Sequence, residues 1–426
     1  VDRKLAVFSE QLASVDVMAV RADVWFLVRF IDSFNRKTRP AVGKGIVILG
    51  STGSIGRRTL DVVQGLGDGW HVVGLAASQN WQELAKQARK FMPRHVAIAD
   101  ERYLDLLRNA LKDLPVEVCA GNNAVSNLSQ VPEADFVLCA IMGAQSISSV
   151  LRAIDAGKDV GLASKEALVL AGEQVMSRAR EKGVKLLPVD SEHSAVFQSL
   201  QAGKREEVNR IILTASGGPF RSWTKEAIYN ATLEQALNHP TWAMGKKITI
   251  DSASMMNKAL EIIEAKHLFD VSADAIEVVV HPESIVHSLV EFNDGAVIGQ
   301  FSIPDMAIPI QYALTWPERK ECIGRRLNLA EICQLSFYKP DYEKFPALRL
   351  AYEVASRGGT CGAVFNAANE RSVEYFMSGD IKFGEITKMV ERVLVDHDWI
   401  SKPGLEDLLR ADQWARDEVD RCIRNL

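Results

Sequence analysis

From Gly45 onward the chain alternates short β-branched runs with longer segments whose apolar residues recur at helical spacing. The runs are Ile46–Leu49, Val72–Ala76, Val96–Ala99, Val116–Cys119, Phe136–Ala140, Asp159–Ala163 and Leu186–Val189. Strand and helix in alternation predict an α/β fold with a largely parallel sheet covered on both faces. The pattern changes after Asp190. Ile211–Thr214, Glu277–His281, Ser288–Phe292 and Ala296–Phe301 predict a second sheet, and Asn293-Asp294-Gly295 between the last two marks a hairpin, so this sheet has antiparallel pairs. The Pro-punctuated stretch from Trp316 to Pro340 reads as a linker. Beyond it the spacing of Leu348, Ala351, Tyr352 and Ala355 is helical, which predicts a small C-terminal helical domain. The expected partition is 43–189, 190–315, a linker 316–341 and 342–426.

Residues 1–42 contain no glycine and no clean period, and are expected to lie outside the fold. They lack the apolar run and cleavage site of a secretory signal, and their acidic residues count against a transit peptide. The 426 residues are 47% hydrophobic and 25% charged, with a formal net charge of −5, so a disordered chain or a protein that coats nucleic acid is disfavoured. None of the six cysteines forms a CxxC pair, which fits free thiols in a reducing compartment. With no membrane span in the sequence, the expected location is the bacterial cytosol, ahead of a plastid.

Candidate chemistry begins where the first strand runs into Gly50-Ser51-Thr52-Gly53-Ser54-Ile55-Gly56. Glycines at this spacing let backbone N–H groups approach a pyrophosphate at a helix N-terminus, although a Gly-rich turn also occurs without a ligand. The second strand runs into Ser78-Gln79-Asn80 rather than an acid. An acid there would bind the ribose 2′-hydroxyl and repel a 2′-phosphate, so its absence points to NADP, with Arg57 and Arg58 as nearby cations or merely solvated helix residues.

A second cluster is Pro188-Val189-Asp190-Ser191-Glu192-His193. A persisting strand would set Asp190 and Glu192 on one side at its carboxyl end, where an oxygen-ligated Mg²⁺ or Mn²⁺ would relieve their repulsion; a helix cap is the plainer alternative. In Asp251–Glu264, Ser254 is a candidate cap, Met256, Leu260 and Ile263 give a core side, and Asn257, Lys258 and Glu261 share another face. With Ser252 that face offers a phosphate cradle beside a third carboxylate. Thr214–Arg221 and Asn238–Gly245 suggest a mobile cover in which Trp242 and Met244 shield a ligand or, alternatively, plug the core.

Seven ordered segments together resemble the 1-deoxy-D-xylulose 5-phosphate reductoisomerase family: Gly50–Gly56, Leu162–Glu166, Pro188–His193, Ala215–Arg221, His239–Trp242, Met255–Lys258 with Glu261, and Asn366–Glu370. The resemblance implies an NADP-binding Rossmann domain, a central α/β catalytic domain with a mixed sheet, a C-terminal helical domain and a homodimer. It implies Asp190, Glu192 and Glu261 as ligands of Mg²⁺ or Mn²⁺. It implies Lys165, Ser191, Glu192, Ser216, His239, Trp242, Ser252, Asn257, Lys258 and Glu261 as substrate contacts, with Lys165, Glu192 and His239 closest to the chemistry. Thr52, Gly53, Ser54, Ile55, Ser78, Gln79, Asn80, Ser164, Glu166 and Gly245 match NADPH contacts, and residues 216–246 match a lid. The implied reaction rearranges a sugar phosphate by retro-aldol and aldol steps and then reduces it. The chain departs from the family at Ser164, at Ser78-Gln79 and at Ala215, and the second departure removes a cation from the 2′-phosphate region. The rival readings are a metal-independent Rossmann reductase and a nucleotide sensor that turns nothing over.

Overall fold

The structure is a computed structural model and describes residues 43–425; the expectation for residues 1–42 lies outside the described residues. Seven strands form the first sheet: β1 (Lys44–Leu49), β2 (Trp70–Ala77), β3 (His95–Ile98), β4 (Glu117–Ala120), β5 (Phe136–Cys139), β6 (Asp159–Leu162) and β7 (Leu186–Pro188). Their order is β4-β3-β2-β1-β5-β6-β7 and every pairing is parallel. The continuous apolar runs follow from burial on both faces: Ile46 and Ile48 pack into one layer, Val47 and Leu49 into the opposite one. Strand order reverses beside β1, which leaves a crevice at the carboxyl ends of β1 and β5.

The second sheet comprises β8 (Val208–Ala215), β9 (Ile276–Val280), β10 (Val286–Phe292) and β11 (Val297–Phe301), in the order β11-β10-β8-β9. It is mixed as expected, because β10 pairs antiparallel with β8 and β11 whereas β8 and β9 run parallel. Gly295 takes φ +84° in the hairpin, a conformation that costs glycine little. Tyr338, from the stretch read as a linker, bridges to Val280 and covers the β9 edge.

Nine helices position the site or support it: α1 (Ser54–Gly65), α2 (Glu166–Lys182), α3 (Ser191–Ser199), α4 (Lys246–Ala253), α5 (Met256–Phe269), α6 (Ala347–Arg357), α7 (Cys361–Ser378), α8 (Phe383–Asp396) and α9 (Leu405–Arg424). The last four are the expected C-terminal helices. Their apolar faces join one continuous core with α2, α5 and one face of the first sheet. Among the described residues, no helix is long and apolar enough to cross a membrane.

Two local expectations are corrected. The strand does not persist to Glu192: β7 ends at Pro188, and Asp190 caps α3 by accepting the Glu192 N–H at 3.2 Å. The segment Asp251–Glu264, where Ser254 is the expected cap, does not set Ser252 on one face with Asn257, Lys258 and Glu261. It breaks between α4 and α5 at Met255, whose φ of +62° is strained for a residue with a side chain. Ser254 stabilises the break, since its hydroxyl accepts the Met256 N–H at 3.4 Å and donates to the Ile250 carbonyl at 3.2 Å. Ser252 therefore belongs to α4 and not to the face carrying Asn257, Lys258 and Glu261.

Candidate active site

A cavity of about 520 Å³ opens at the carboxyl end of the first sheet. Its walls include Lys165, Asp190, Ser191, Glu192, Ser216, His239, Trp242, Ser252, Asn257 and Lys258, with Ser54 and Ile55 of α1 at another side. The expected substrate contacts thus converge, except that the fully buried Glu261 lies behind the wall. Ligand atoms of Asp190, Glu192 and Glu261 lie within 4.8 Å of one another. Lys165, at the N-cap of α2, reaches Asp190 at 2.8 Å, the Asn257 amide oxygen at 2.9 Å and Glu261 at 3.2 Å. Lys258 pairs with Glu261 and stands 3.5 Å from Glu192. Asn257 donates to Glu261 at 2.6 Å, and the Ser191 hydroxyl donates to Glu192 at 2.5 Å.

These contacts set the protonation pattern. Burial, together with the negative charges of Glu261 and Asp190, pushes Glu192 up to about 7 despite Lys258. Asp190 is held far below the carboxylate range because Lys165, His193 and Lys258 outweigh its burial. His193 is fully buried between Asp190, at 3.6 Å, and Glu264, at 3.0 Å, while its Nε2 faces the Glu261 carbonyl at 3.1 Å. A carbonyl can only accept, so Nε2 carries a proton; against burial, Glu264 raises His193 to about 9 and completes an imidazolium. Three hard oxygen donors from two helices, with one carboxyl pushed towards protonation by its neighbours, are a donor set that fits a divalent Mg²⁺ or Mn²⁺.

His239 has different partners. Its Nδ1 faces the backbone N–H groups of Thr241, at 3.1 Å, and Trp242, at 2.9 Å, both of which can only donate. The proton must therefore sit on Nε2, which donates to the Ser216 hydroxyl at 3.0 Å. Burial and nearby Arg221 lower the ring to about 4, which keeps it neutral. The Gly218 N–H also donates to Ser216 at 3.2 Å. With both lone pairs engaged, the Ser216 hydroxyl proton is free to point into the cavity. Gly218 is required here: a Cβ would stand 2.6 Å from the Ser252 carbonyl oxygen.

The expected nucleotide contacts lie around the crevice rather than in this cavity, apart from Ser54 and Ile55. Gly50 takes φ +86° and packs against the Ala140 carbonyl; Thr52 and Gly53 complete the turn, and Gly53 caps α1. Ser78, Gln79 and Asn80 are exposed at the end of β2, with Asn80 already accepting the Glu83 N–H. Ser164 is buried against the Cys139 sulfur at 3.6 Å, Glu166 is buried at the start of α2, and Gly245 caps α4. Arg58, considered as a phosphate partner, is instead bound by both oxygens of Asp305 at 3.0 and 2.5 Å. That pair braces the cavity wall, and its sequence separation hid it from pattern reading.

Trp242 and Met244 line the cavity and do not enter the core. Within 216–246, Phe220, Ile228, Ala231 and Ala236 are buried, with Phe220 stacked edgewise on Phe383 of α8 at 5.1 Å. The stretch 238–246 is the part that faces solvent over the cavity.

Three family profiles match consecutive parts of the chain: 1-deoxy-D-xylulose 5-phosphate reductoisomerase over residues 46–172, its C-terminal domain over 186–269, and DXP reductoisomerase C-terminal domain over 301–418. A relative from Pelotomaculum thermopropionicum bearing that enzyme's name is 50% identical over 384 residues, or 90% of this chain and 99% of the relative. The chain belongs to the 1-deoxy-D-xylulose 5-phosphate reductoisomerase family. Another member, from Exiguobacterium sibiricum, is 50% identical over 88% of this chain and 97% of its own length. Among solved structures, the Zymomonas mobilis reductoisomerase in complex with NADPH superposes with a TM-score of 0.85 at 42% identity, covering 90% of this chain and all of that one. A DOX-P reductoisomerase bound to NADPH, fosmidomycin and magnesium superposes equally well, at a TM-score of 0.85 and 36% identity over 89% of this chain and 98% of that one.

Proposed function

We propose that this protein converts 1-deoxy-D-xylulose 5-phosphate into 2-C-methyl-D-erythritol 4-phosphate, rearranging the carbon skeleton by retro-aldol and aldol steps and reducing the resulting aldehyde with NADPH. The observation that carries this reading is the cluster of Asp190, Glu192 and, just behind them, the buried Glu261 at the wall of one cavity whose other side is the start of α1. A simple dehydrogenase does not need that carboxylate cluster. When bound, Mg²⁺ or Mn²⁺ supplies Lewis acidity to adjacent substrate oxygens, and the nicotinamide supplies the hydride.

The chain's own groups divide the remaining work. Asp190, Glu192 and Glu261 hold the ion. Lys165, charged and anchored by Asp190 and Glu261, orients a substrate oxygen. Glu192, which accepts the Ser191 hydroxyl, also relays a proton. Ser216, Ser252, Asn257 and Lys258 hold the phosphate. Residues 238–246, with Trp242, exclude water and keep both fragments together between the two carbon-bond steps. Thr52, Gly53, Ser54, Ile55, Ser164, Glu166 and Gly245 hold NADPH, with Ser78, Gln79 and Asn80 at the 2′-phosphate. This reading divides the chain at 43–189, 190–315, 316–341 and 342–426 and sets it in the bacterial cytosol.

A homodimer belongs to the same reading. Among the described residues β11 is the outer strand of its sheet, and Val297, Ile298 and Phe301 stand on it 46%, 40% and 43% exposed. Such an edge invites pairing with a second copy. The activity test is loss of nicotinamide absorbance with 1-deoxy-D-xylulose 5-phosphate, NADPH and Mg²⁺ or Mn²⁺, repeated with a chelator. Metal-dependent oxidation of NADPH supports the function, whereas chelator-insensitive reduction supports the plain dehydrogenase.

A further inference from the structure

Among the described residues, none of the side chains lining the cavity comes from beyond Met306, so the C-terminal helices influence the site only through other residues. One buried ionic network makes that connection. Lys247, in the first turn of α4, has an 18% exposed side chain and lies 2.8 Å from Asp251, 3.7 Å from Glu166 at the start of α2, and 4.0 Å from Glu370 of α7. Glu370 is held in turn by Arg416 of α9 at 2.5 Å, and Arg416 also binds Asp412 at 2.9 Å. Asn369 donates to Asp251 at 2.9 Å. The Asn366–Glu370 segment, which carries no catalytic chemistry, thereby grips the helix on which Ser252 sits.

Position gives the network its consequence. Lys247 follows the solvent-facing stretch 238–246, and its neighbour Ile248 and nearby Ser252 both line the cavity. Glu166 directly follows Lys165. One ammonium group therefore fixes the cover's end, the cradle helix α4 and the turn carrying Lys165 against α7. Without it, Asp251 would lose its ion pair and Glu166 and Glu370 their shared cation, leaving Arg416 on Glu370 and the more distant charge of Lys165 on Glu166. Removing one partner from a buried ionic cluster is far costlier than never having built it.

The geometry points to Lys247 as a positioning residue through which the C-terminal helices hold Ser252 and Lys165 in register for the substrate. The inference rests on the proposed function for its kinetic consequence but not for its structural one. Lys247→Met is expected to raise KM for 1-deoxy-D-xylulose 5-phosphate roughly tenfold or more, since small misplacements of binding groups have large kinetic effects. Lys247→Arg, which keeps the charge, restores most of that loss. Glu370→Gln, at a residue that touches no cavity wall, raises KM in the same direction, and the Lys247→Met/Glu370→Gln pair is no worse than Lys247→Met alone. Independently of activity, Glu370→Gln accelerates amide hydrogen exchange in Lys246–Ala253 of the full-length protein. Unchanged exchange there overturns the inference. So does a lowered melting temperature with KM and kcat of the folded enzyme unaltered, because that describes stability alone. If the wild-type protein fails to turn over the substrate, the functional reading falls and the exchange measurement still decides the link between α7 and α4.

Discussion

His239 offers a prediction in which two substitutions separate two bonds. Its Nδ1 accepts the Thr241 and Trp242 N–H groups and its Nε2 donates to Ser216. In His239→Asn, the amide oxygen occupies nearly the position of Nδ1 and keeps both backbone bonds, but nothing reaches Ser216. In His239→Gln, the longer amide reaches Ser216 and the backbone acceptor is lost. One neutral hydrogen bond contributes about 1 kcal/mol net, or roughly fivefold in an equilibrium constant. The Asn variant should therefore weaken substrate binding about fivefold to tenfold with kcat within about twofold, because Ser216 is no longer locked as a donor towards the phosphate. The Gln variant loses two backbone bonds, about 2 kcal/mol from the local stability of the 238–246 stretch, and its effect appears as faster amide exchange there. Steady-state kinetics for each variant and nitrogen chemical shifts of the His239 ring are the assays. The ring should remain neutral and Nε2-protonated from above about 4 through physiological pH. A loss of kcat with unchanged KM in His239→Asn, or a ring that titrates near 6.5, would refute the positioning role in favour of acid–base catalysis.

Two further predictions follow from the same geometry. Glu261→Gln should demand higher Mg²⁺ or Mn²⁺ for activity while NADPH binding, read by nucleotide fluorescence, stays the same; an unaltered metal titration removes Glu261 from the ligand set. If the chain dimerises through this edge, Phe301→Glu together with Ile298→Glu should give a monomer by light scattering, because like charges would then meet at an apolar sheet edge; a monomeric wild type or a dimer of unchanged mass overturns pairing there.

The strands of both sheets were legible because their physics is local. A strand buried on both faces must be apolar throughout, as Ile46–Leu49 and Phe136–Cys139 are. The hairpin at Asn293-Asp294-Gly295 was legible for the same reason. The helix start beside Met255 was legible in Ser254, but the left-handed backbone of Met255 was not, since no Gly marks it and it is held by burial of Met255 itself, a tertiary effect. Asp190 and Glu192 were paired by an argument about strand period whose stated alternative, a helix cap, is what the structure holds, and Glu261 joined them only through the family resemblance. Asp190 and Glu192 come together as cap and first-turn residue of α3, and Glu261 arrives from a separate helix. Arg58 with Asp305, and Lys247 with Glu166 and Glu370, stayed hidden because complementary charges far apart in a sequence carry no spacing that identifies them as partners.

The charge balance at the cluster explains why so many of its supports are ionic. Asp190, Glu192 and Glu261 face Lys165 and Lys258, while Glu264 is matched by His193, so one negative charge is left over. That surplus falls on Glu192, the member raised to about 7. A divalent ion would reverse the sign of the balance and leave the site weakly positive, which suits a phosphorylated substrate passing through an enolate-like state. An apolar setting for the same three carboxylates would not serve, because burial alone would neutralise them and cost the ion its ligands. The lysines keep Asp190 ionised and hold both Asp190 and Glu261 in place before the ion binds. The histidine does the same from behind, anchored to the backbone of the helix that carries Glu261. Geometry and charge are thus maintained by the same contacts, and a change that weakens one weakens the other.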